Sequence, residues 1–280
     1  MIYKAKKSLG QNFLKSEPAL NMMCEAGEVS DKDTVLEIGP GKGALTKKLL
    51  EKAKRVIAVE KDHELFEFLQ EKFVDEIKNG KLELINGDIL EFDPTTYYLL
   101  LTTSYKLIAN IPYNITGAIF KKFLSSSFQP EKMVLLVQKE VADRVVARAP
   151  GNKKSGGKES ILSLSVKAYG DPKYIMKVHK RFFSPSPKVD SAIISISNIS
   201  KNNFKTGKEE ELFFNIIKTG FAHKRKVLIK NLEDLKLLEV GLPTILPTIF
   251  EKLKMDSKTR AEDVNFEKWM EILHLLSTDL

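Results

Sequence analysis

The chain has 280 residues, a formal net charge of +8, and ordinary proportions of hydrophobic (42%) and charged (29%) residues. This composition excludes a disordered chain, and the length predicts one large domain with a smaller one. Cys24 is the only cysteine, which excludes an intramolecular disulfide and is typical of a reducing, cytoplasmic compartment. The four scattered histidines lack zinc-binding spacing, and no apolar run is long enough for a transmembrane helix or a secretory signal.

The positive charge is concentrated in one stretch of the chain. Residues 121–188 carry 15 basic and 5 acidic residues, whereas residues 16–120 are mildly acidic. Such a block favours a surface that faces a polyanion such as nucleic acid. A solvated, lysine-rich surface is the alternative, so charge alone leaves the choice open.

Short apolar runs alternate with segments of helical spacing in the first half of the chain. We predict strands for the runs at 34–38, 56–59, 82–85, 106–109 and 133–137. Leu45, Leu49 and Leu50 share one helical stripe, and a second stripe extends from Leu65 to Ile77. This alternation predicts an α/β fold with a parallel sheet covered by helices on both faces.

The pattern changes in the second half. Residues 149–160 have the composition of a loop, 174–183 and 189–199 are typical of an antiparallel strand pair, and 198–208 of a linker. Helical spacing then dominates at 209–221, 244–254 and 265–276. The sequence therefore predicts two domains, an α/β domain over 1–200 and a small, all-helical domain over 201–280.

A glycine-rich loop, Glu37-Ile38-Gly39-Pro40-Gly41-Lys42-Gly43, follows the first predicted strand and precedes a helix. Glycines at such a turn let a nucleotide approach the backbone, next to the N-terminus of the helix. The G-x-G-x-G spacing differs from both the G-x-G-x-x-G fingerprint and the P-loop. On its own the loop could also be a plain tight turn.

Two acidic residues strengthen the nucleotide interpretation. Glu60 ends the second strand, where a carboxylate can accept both ribose hydroxyls. Asp88 follows the third strand, where a carboxylate can accept the amino group of an adenine ring. Each acid singly could instead cap a helix, an alternative that is strongest for the neighbouring Asp62. Loop and acids together predict an adenosine-containing cofactor, with NAD still a competitor.

The run Asn110-Ile111-Pro112-Tyr113 follows the fourth strand, at the edge where open α/β sheets bind ligands. It suits methyl transfer to an exocyclic amine. The Asn110 carboxamide oxygen and a backbone carbonyl can accept the two N–H bonds of adenine N6 and stabilise the positive charge that develops there. Tyr113 can stack on the base, although a proline-stiffened turn is the simpler alternative.

Phe183, in the run Phe183-Ser184-Pro185-Ser186-Pro187, could supply a second stacking face. A base drawn out of its helix needs two such faces, and the prolines fix the backbone beside Phe183. A core phenylalanine on a strand is the competing interpretation.

These motifs together resemble the KsgA-type ribosomal RNA adenine N6,N6-dimethyltransferases, over nearly the whole chain. The similar segments are 7–14 (KSLGQNFL), 37–46, 59–62, 87–90, 110–113, 138–144 (QKEVADR), 183–191 and 221–228. The resemblance implies a class I, Rossmann-like sheet that binds S-adenosylmethionine, followed by a small C-terminal all-helical domain.

The same resemblance implies the site residues and the function. Cofactor contacts are implied at Asn12, Leu14, Gly39, Gly41, Glu60, Asp88, Ile89 and Asn110. Target-base contacts are implied at Asn110, Tyr113 and Phe183, without a metal. The implied reaction is dimethylation of two adjacent adenines in the 3′-terminal hairpin of 16S rRNA, by a cytoplasmic monomer that also acts late in small-subunit assembly.

Three alternatives remain at this point. A sister family that methylates large-subunit rRNA shares the QNFL, glycine-loop and N-I-P-Y elements, although Gly39-Pro40-Gly41, QKEVADR and the run Pro187–Ala192 are more similar to the KsgA branch. An RNA-binding assembly factor with secondary catalysis and a Rossmann dehydrogenase are the other two. Two segments differ from the family pattern: 149–160 is longer and richer in Lys and Gly, and 223–226 (HKRK) replaces a denser arginine pair.

Overall fold

The computed structural model describes residues 5–6, 9–94, 104–147, 158–235 and 242–278. The chain divides into two compact units, Met1–Ala142 with Gly170–Ser200, and Asp143–Tyr169 with Lys201–Leu280. The predicted domain boundary at residue 200 coincides with one of these divisions. The structure differs from the predicted domains in the segment 143–169, which groups with the C-terminal residues.

The first unit contains a mixed sheet. The strands are β1 (Phe13–Leu14), β2 (Thr34–Ile38), β3 (Arg55–Glu60), β4 (Leu82–Asn86), β5 (Tyr105–Asn110), β6 (Lys132–Gln138), β7 (Asp171–Val178), β8 (Phe183–Ser184) and β9 (Ser191–Ser197). Within the described ranges, seven of them form one sheet in the order β4-β3-β2-β5-β6-β9-β7. Neighbours from β4 to β6 are parallel, and β9 is antiparallel to both β6 and β7.

The sequence patterns explain these strands. Every residue of β2 is buried, Thr34 and Glu37 included, as expected for a strand that is covered on both faces of a parallel sheet. All five predicted parallel strands are confirmed. The predicted antiparallel pair is confirmed as β7 with β9, although β7 begins and ends earlier than predicted. β1 and β8 form a separate antiparallel ribbon, which the sequence did not indicate.

Helices cover the sheet of the first unit. They are α1 (Glu17–Ala26), α2 (Ala44–Lys52), α3 (His63–Lys72), α4 (Val74–Lys78), α5 (Thr116–Leu124) and α6 (Lys139–Val145), which continues into the second unit. The predicted stripe of Leu45, Leu49 and Leu50 is buried on α2. The stripe from 65 to 77 is not one helix, because Phe73 leaves helical geometry between α3 and α4.

The described part of the second unit is helical. Its helices are α7 (Ile161–Lys167), α8 (Gly207–Gly220), α9 (Leu228–Leu232), α10 (Leu242–Lys252) and α11 (Phe266–Thr278). The three predicted helices correspond to α8, α10 and α11. No helix within the described ranges is long and apolar enough to span a membrane.

Contacts of Tyr169 and Glu159 explain why the segment 143–169 groups with the C-terminal helices. The Tyr169 hydroxyl donates to Glu210, and its ring stacks on Phe214 at a centroid distance of 6.0 Å. The backbone N–H of Glu159 donates to the carbonyl of Glu262 at 2.9 Å. Partners this distant along the chain are not visible in local periodicity, so the sequence pattern assigned this segment to the first domain.

The close packing around Gly220 on α8 leads to a prediction about the stability of the fold. A Cβ at Gly220 would lie 2.5 Å from Cη2 of Trp269 and 2.9 Å from Cδ1 of Leu228. Both neighbours are fully buried, so Gly220→Ala overpacks the core and should lower the free energy of unfolding by about 1–3 kcal/mol in urea denaturation.

Gly207, at the other end of α8, is the matched control. A Cβ there would meet nothing within 4 Å, so Gly207→Ala should leave the free energy of unfolding unchanged or slightly higher. Equal losses in the two variants would contradict the packing described for Gly220.

Candidate active site

A cavity of about 450 Å³ opens at the carboxyl ends of the parallel strands in the first unit. Its walls are the glycine loop after β2, the end of β3, residues 87–89 after β4, residues 110–113 after β5, and residues 9–15 of the N-terminal segment. Open α/β sheets bind their ligands at this edge. All eight residues that the resemblance assigns to the cofactor line this cavity, as does Tyr113.

The glycine loop needs glycine for its conformation. Gly39, Gly41 and Gly43 have φ angles of +62°, +60° and +73°, in the left-handed region that disfavours side chains. Space restricts two of the three as well, because a Cβ at Gly41 would lie 3.0 Å from the Phe13 ring and one at Gly43 only 2.5 Å from Phe73. At Gly39 and Gly41 the loop therefore presents bare backbone to the cavity.

Glu60 holds this loop against the end of β3. Its Oε2 accepts the backbone N–H of Gly41 at 3.0 Å, and its Oε1 accepts that of Asp62 at 2.9 Å. Burial raises the pKa of Glu60, and the two N–H donors act in the opposite direction. Each carboxylate oxygen still has a second lone pair, so Glu60 can accept hydroxyl donors from the cavity.

Asp62 connects the same region to the N-terminal segment. It is the N-cap of α3 and accepts the backbone N–H of Glu64, which is the capping alternative considered from the sequence. It also accepts Nζ of Lys6 at 2.8 Å and Nε2 of Gln11 at 2.9 Å. Because these partners lie more than 50 residues away, sequence spacing did not reveal this connection.

The Asp88 carboxylate accepts two hydrogen bonds within the protein and can accept more from a ligand. Its Oδ1 accepts the backbone N–H of Leu90, and its Oδ2 accepts Nζ of Lys61 at 2.6 Å. The Lys61 ammonium holds the pKa of Asp88 below its ordinary value, so the carboxylate is ionised at neutral pH. A carboxylate has about four lone-pair sites, so two remain for a further donor.

The Asn110–Tyr113 run follows β5 and lines the same cavity as the glycine loop. Nδ2 of Asn110 donates to the carbonyl of Asn12 at 3.1 Å, which leaves the Asn110 carboxamide oxygen as an acceptor. The Tyr113 hydroxyl shares a 2.7 Å hydrogen bond with Oγ of the buried Ser191 on β9. Burial raises the pKa of Tyr113, so its hydroxyl stays protonated and the ring is fixed at its far end.

Phe183 is not brought into this cavity. Its side chain is only 4% exposed and belongs to the hydrophobic core of the first unit, together with Leu14, Val178 and Ile193. Ser184, the next residue, lines the cavity instead. This position is that of the core phenylalanine considered as an alternative, and stacking of Phe183 on a base stays a prediction.

The basic motif of the second unit is exposed between α8 and α9. His223, Lys224 and Lys226 line a cavity of about 300 Å³ in that unit, together with Arg144 and Lys158. Of the unusual segment 149–160, only residues 158–160 lie within the described ranges. No group of three His, Cys, Asp or Glu side chains in the described residues is arranged to hold a metal.

Comparison with known proteins identifies similar chains. A family model described as ribosomal RNA adenine dimethylase matches residues 2–277. A ribosomal RNA small subunit methyltransferase A from Dehalococcoides mccartyi (strain CBDB1) is 40% identical over 269 residues, which cover 96% of this chain and 87% of the relative.

Two crystal structures have the same fold. A dimethyladenosine transferase from Plasmodium falciparum aligns with a TM-score of 0.77 at 24% identity, covering 95% of this chain and 98% of the other. The 23S rRNA methyltransferase ErmE aligns with a TM-score of 0.74 at 24% identity, covering 95% of this chain and 100% of the other. These alignments confirm the predicted class I, Rossmann-like fold.

The burial of Glu37 predicts how the free energy of unfolding depends on pH. Glu37 lies on β2 with only 1% of its surface exposed, and burial raises its pKa to about 8, with the Glu60 carboxylate adding to the shift. The folded chain therefore keeps a proton that the unfolded chain loses near pH 4.5, so this group lowers the free energy of unfolding as pH rises between these values. Glu37→Gln should remove this loss, and its stability relative to the wild type should increase from pH 5 to pH 9.

Urea denaturation across this pH range measures the effect. Glu71→Gln, on the exposed side of α3, is the control and should follow the wild-type profile. Parallel profiles for wild type and Glu37→Gln would contradict a buried, proton-binding Glu37.

Proposed function

Since this chain belongs to the ribosomal RNA adenine dimethylase family, we propose that it transfers methyl groups from S-adenosylmethionine to N6 of two adjacent adenines in the 3′-terminal hairpin of 16S rRNA. The observation that carries the proposal is the convergence of the glycine loop, Glu60, Asp88 and the Asn110–Tyr113 run on one cavity. The proposal includes a late role in small-subunit biogenesis, in the cytoplasm and as a monomer.

The choice of the small subunit has separate support. The relative from Dehalococcoides mccartyi is named a ribosomal RNA small subunit methyltransferase, and its alignment covers 96% of this chain. The Gly39-Pro40-Gly41, QKEVADR and Pro187–Ala192 segments favour the same branch. The fold gives no preference, because a large-subunit enzyme aligns almost as well as a dimethyladenosine transferase.

The residues of the cavity fit S-adenosylmethionine. Its volume of about 450 Å³ lies in the ordinary range for small-molecule sites. Glu60 offers acceptors for ribose hydroxyls, Asp88 offers acceptors for the adenine amine, and Gly41 lets the ligand approach the backbone. The G-x-G-x-G spacing and the Asn110–Tyr113 run favour this cofactor over NAD.

S-adenosylmethionine would supply an activated methyl group and leave as S-adenosylhomocysteine. The methylated nitrogen is acidic enough to release its proton to solvent, so the chain needs no strong general base. In the first transfer, the Asn110 oxygen accepts one N–H of the target amine, and a backbone carbonyl of the same run accepts the other. In the second transfer a single N–H remains, for one of these acceptors. These acceptors direct the nitrogen lone pair towards the methyl donor and stabilise the positive charge that forms on nitrogen. The Tyr113 ring, fixed by Ser191, provides a face for the base.

Basic segments of the chain would bind the RNA backbone. The exposed residues 223–226 of the second unit carry three positive charges. Lysines contact phosphates as point charges and provide affinity without reading bases, so the shape of the folded subunit would set specificity.

The first test is methyl transfer from labelled S-adenosylmethionine to unmethylated small subunits, with large subunits and naked rRNA alongside. The expected product is N6,N6-dimethyladenine on the small subunit alone. Label on large-subunit rRNA would instead place the chain in the sister family that methylates large-subunit rRNA. Binding to small subunits without transfer would favour an assembly factor.

Asn110→Ala tests the proposed chemistry. Loss of a preorganised acceptor should lower the rate of transfer by at least about 100-fold, while binding of small subunits stays close to wild type. Asn79→Ala, an exposed asparagine away from the cavity, is the control and should keep normal turnover. Near-normal turnover of Asn110→Ala would contradict the assigned role.

A further inference from the structure

Phe182 and Phe183 are adjacent in the chain, but one ring is partly exposed to solvent and the other is buried in the core. Phe183 is 4% exposed in the core of the first unit, whereas Phe182 is 36% exposed. Phe182 therefore keeps part of its ring available to a partner, and its backbone and its neighbours indicate what that partner would be.

The backbone holds Phe182 firmly in this position. Its N–H donates to the carbonyl of His179 at 3.0 Å, and its own carbonyl accepts the N–H of Lys15 at 2.8 Å. The preceding turn is fixed as well, because the N–H of Lys180 donates to Oδ1 of Asp190 at 3.0 Å. Because this loop is already ordered, a partner that packs on Phe182 does not have to order the backbone first.

The surroundings of Phe182 are cationic. The guanidinium of Arg181 lies over the Phe182 ring, 5.0 Å from its centroid, and Lys180 and Lys188 are exposed in the same loop. Asp190, the acidic residue of this loop, pairs with Lys177 at 2.8 Å. An aromatic ring with a planar cation beside it is the surface on which unpaired nucleobases stack, with cations near their phosphates.

The position of Phe182 indicates which base it would meet. Lys15, its hydrogen-bond partner, lines the active-site cavity, and so does Ser184, two residues further along the chain. Two peptide units span at most about 7.6 Å, so Phe182 lies at the rim of this cavity. A strand that places one base inside the cavity must pass its next nucleotide over the rim.

We propose that Phe182, together with Arg181, stacks on the nucleobase adjacent to the adenine that is being methylated. This inference rests on the proposed function and deepens it. Two neighbouring adenines are modified in turn, so the one outside the cavity needs a place to bind, and the Phe182 ring supplies it.

Steady-state methylation of unmethylated small subunits by full-length variants tests the inference. Stacking on an aromatic ring contributes about 1–3 kcal/mol per base, so Phe182→Ala should raise KM for the subunit at least about 5-fold and leave kcat within about twofold. Phe182→Leu should show a similar loss because it lacks a π face, whereas Phe182→Tyr should restore the wild-type KM.

Phe68 on α3 provides a matched control. It is 43% exposed and has Nζ of Lys72 at 5.8 Å from its ring centroid, but it does not line the cavity. Phe68→Ala should therefore leave KM and kcat unchanged. Binding of S-adenosylhomocysteine should be the same in all of these variants.

The results separate the two claims. An active wild type with Phe182→Ala indistinguishable from Phe68→Ala would overturn the inference alone. So would a fall in kcat at constant KM, which would place the ring on the reacting base, or a loss of S-adenosylhomocysteine binding, which would indicate a structural role. A wild type that is inactive on small subunits would contradict the proposed function and this inference with it.

Discussion

The carboxylate of Glu60 connects the parts of the first unit that form the cavity. It accepts the backbone N–H of Gly41 with one oxygen and that of Asp62 with the other. Asp62 in turn binds Lys6 and Gln11, so the N-terminal segment is attached to the same point. Without Glu60, two N–H groups on buried residues would lose their acceptor, at a cost of about 1–3 kcal/mol each. Glu60 therefore links the glycine loop directly to the residues after β3 and, through Asp62, to the N-terminal segment.

The opposite wall of the cavity is organised by equally specific contacts. Asn110 is oriented by its hydrogen bond to the Asn12 carbonyl, and Tyr113 by its hydrogen bond to Ser191. The N-terminal segment thus contributes to both walls, through Gln11 on one side and Asn12 on the other. This arrangement couples the proposed methyl-donor pocket to the proposed target-base pocket through one short stretch of chain.

Much of the first unit was predictable because its signals are local. Continuous apolar runs such as Val56–Val59 identify buried parallel strands, and the carboxyl ends of such strands place Glu60, Asp88 and Asn110 at one edge. The β1–β8 ribbon was not predictable in this way, because it pairs Leu14 with Phe183 across most of the unit. The grouping of Tyr169 with the C-terminal helices depends on similarly distant contacts. For Phe182 and Phe183, sequence pattern gives no means to decide which of two adjacent rings is buried.

Calorimetric titration of wild type and Glu60→Ala with S-adenosylhomocysteine, and separately with NAD, shows whether this cavity binds the cofactor through Glu60. We expect saturable binding of S-adenosylhomocysteine to the wild type, no binding of NAD, and at least about a tenfold weaker affinity in Glu60→Ala, because hydrogen bonds to a charged acceptor contribute about 1.5–3 kcal/mol. Unchanged affinity in Glu60→Ala, or binding of NAD in place of S-adenosylhomocysteine, would show that Glu60 does not hold the methyl donor in this cavity.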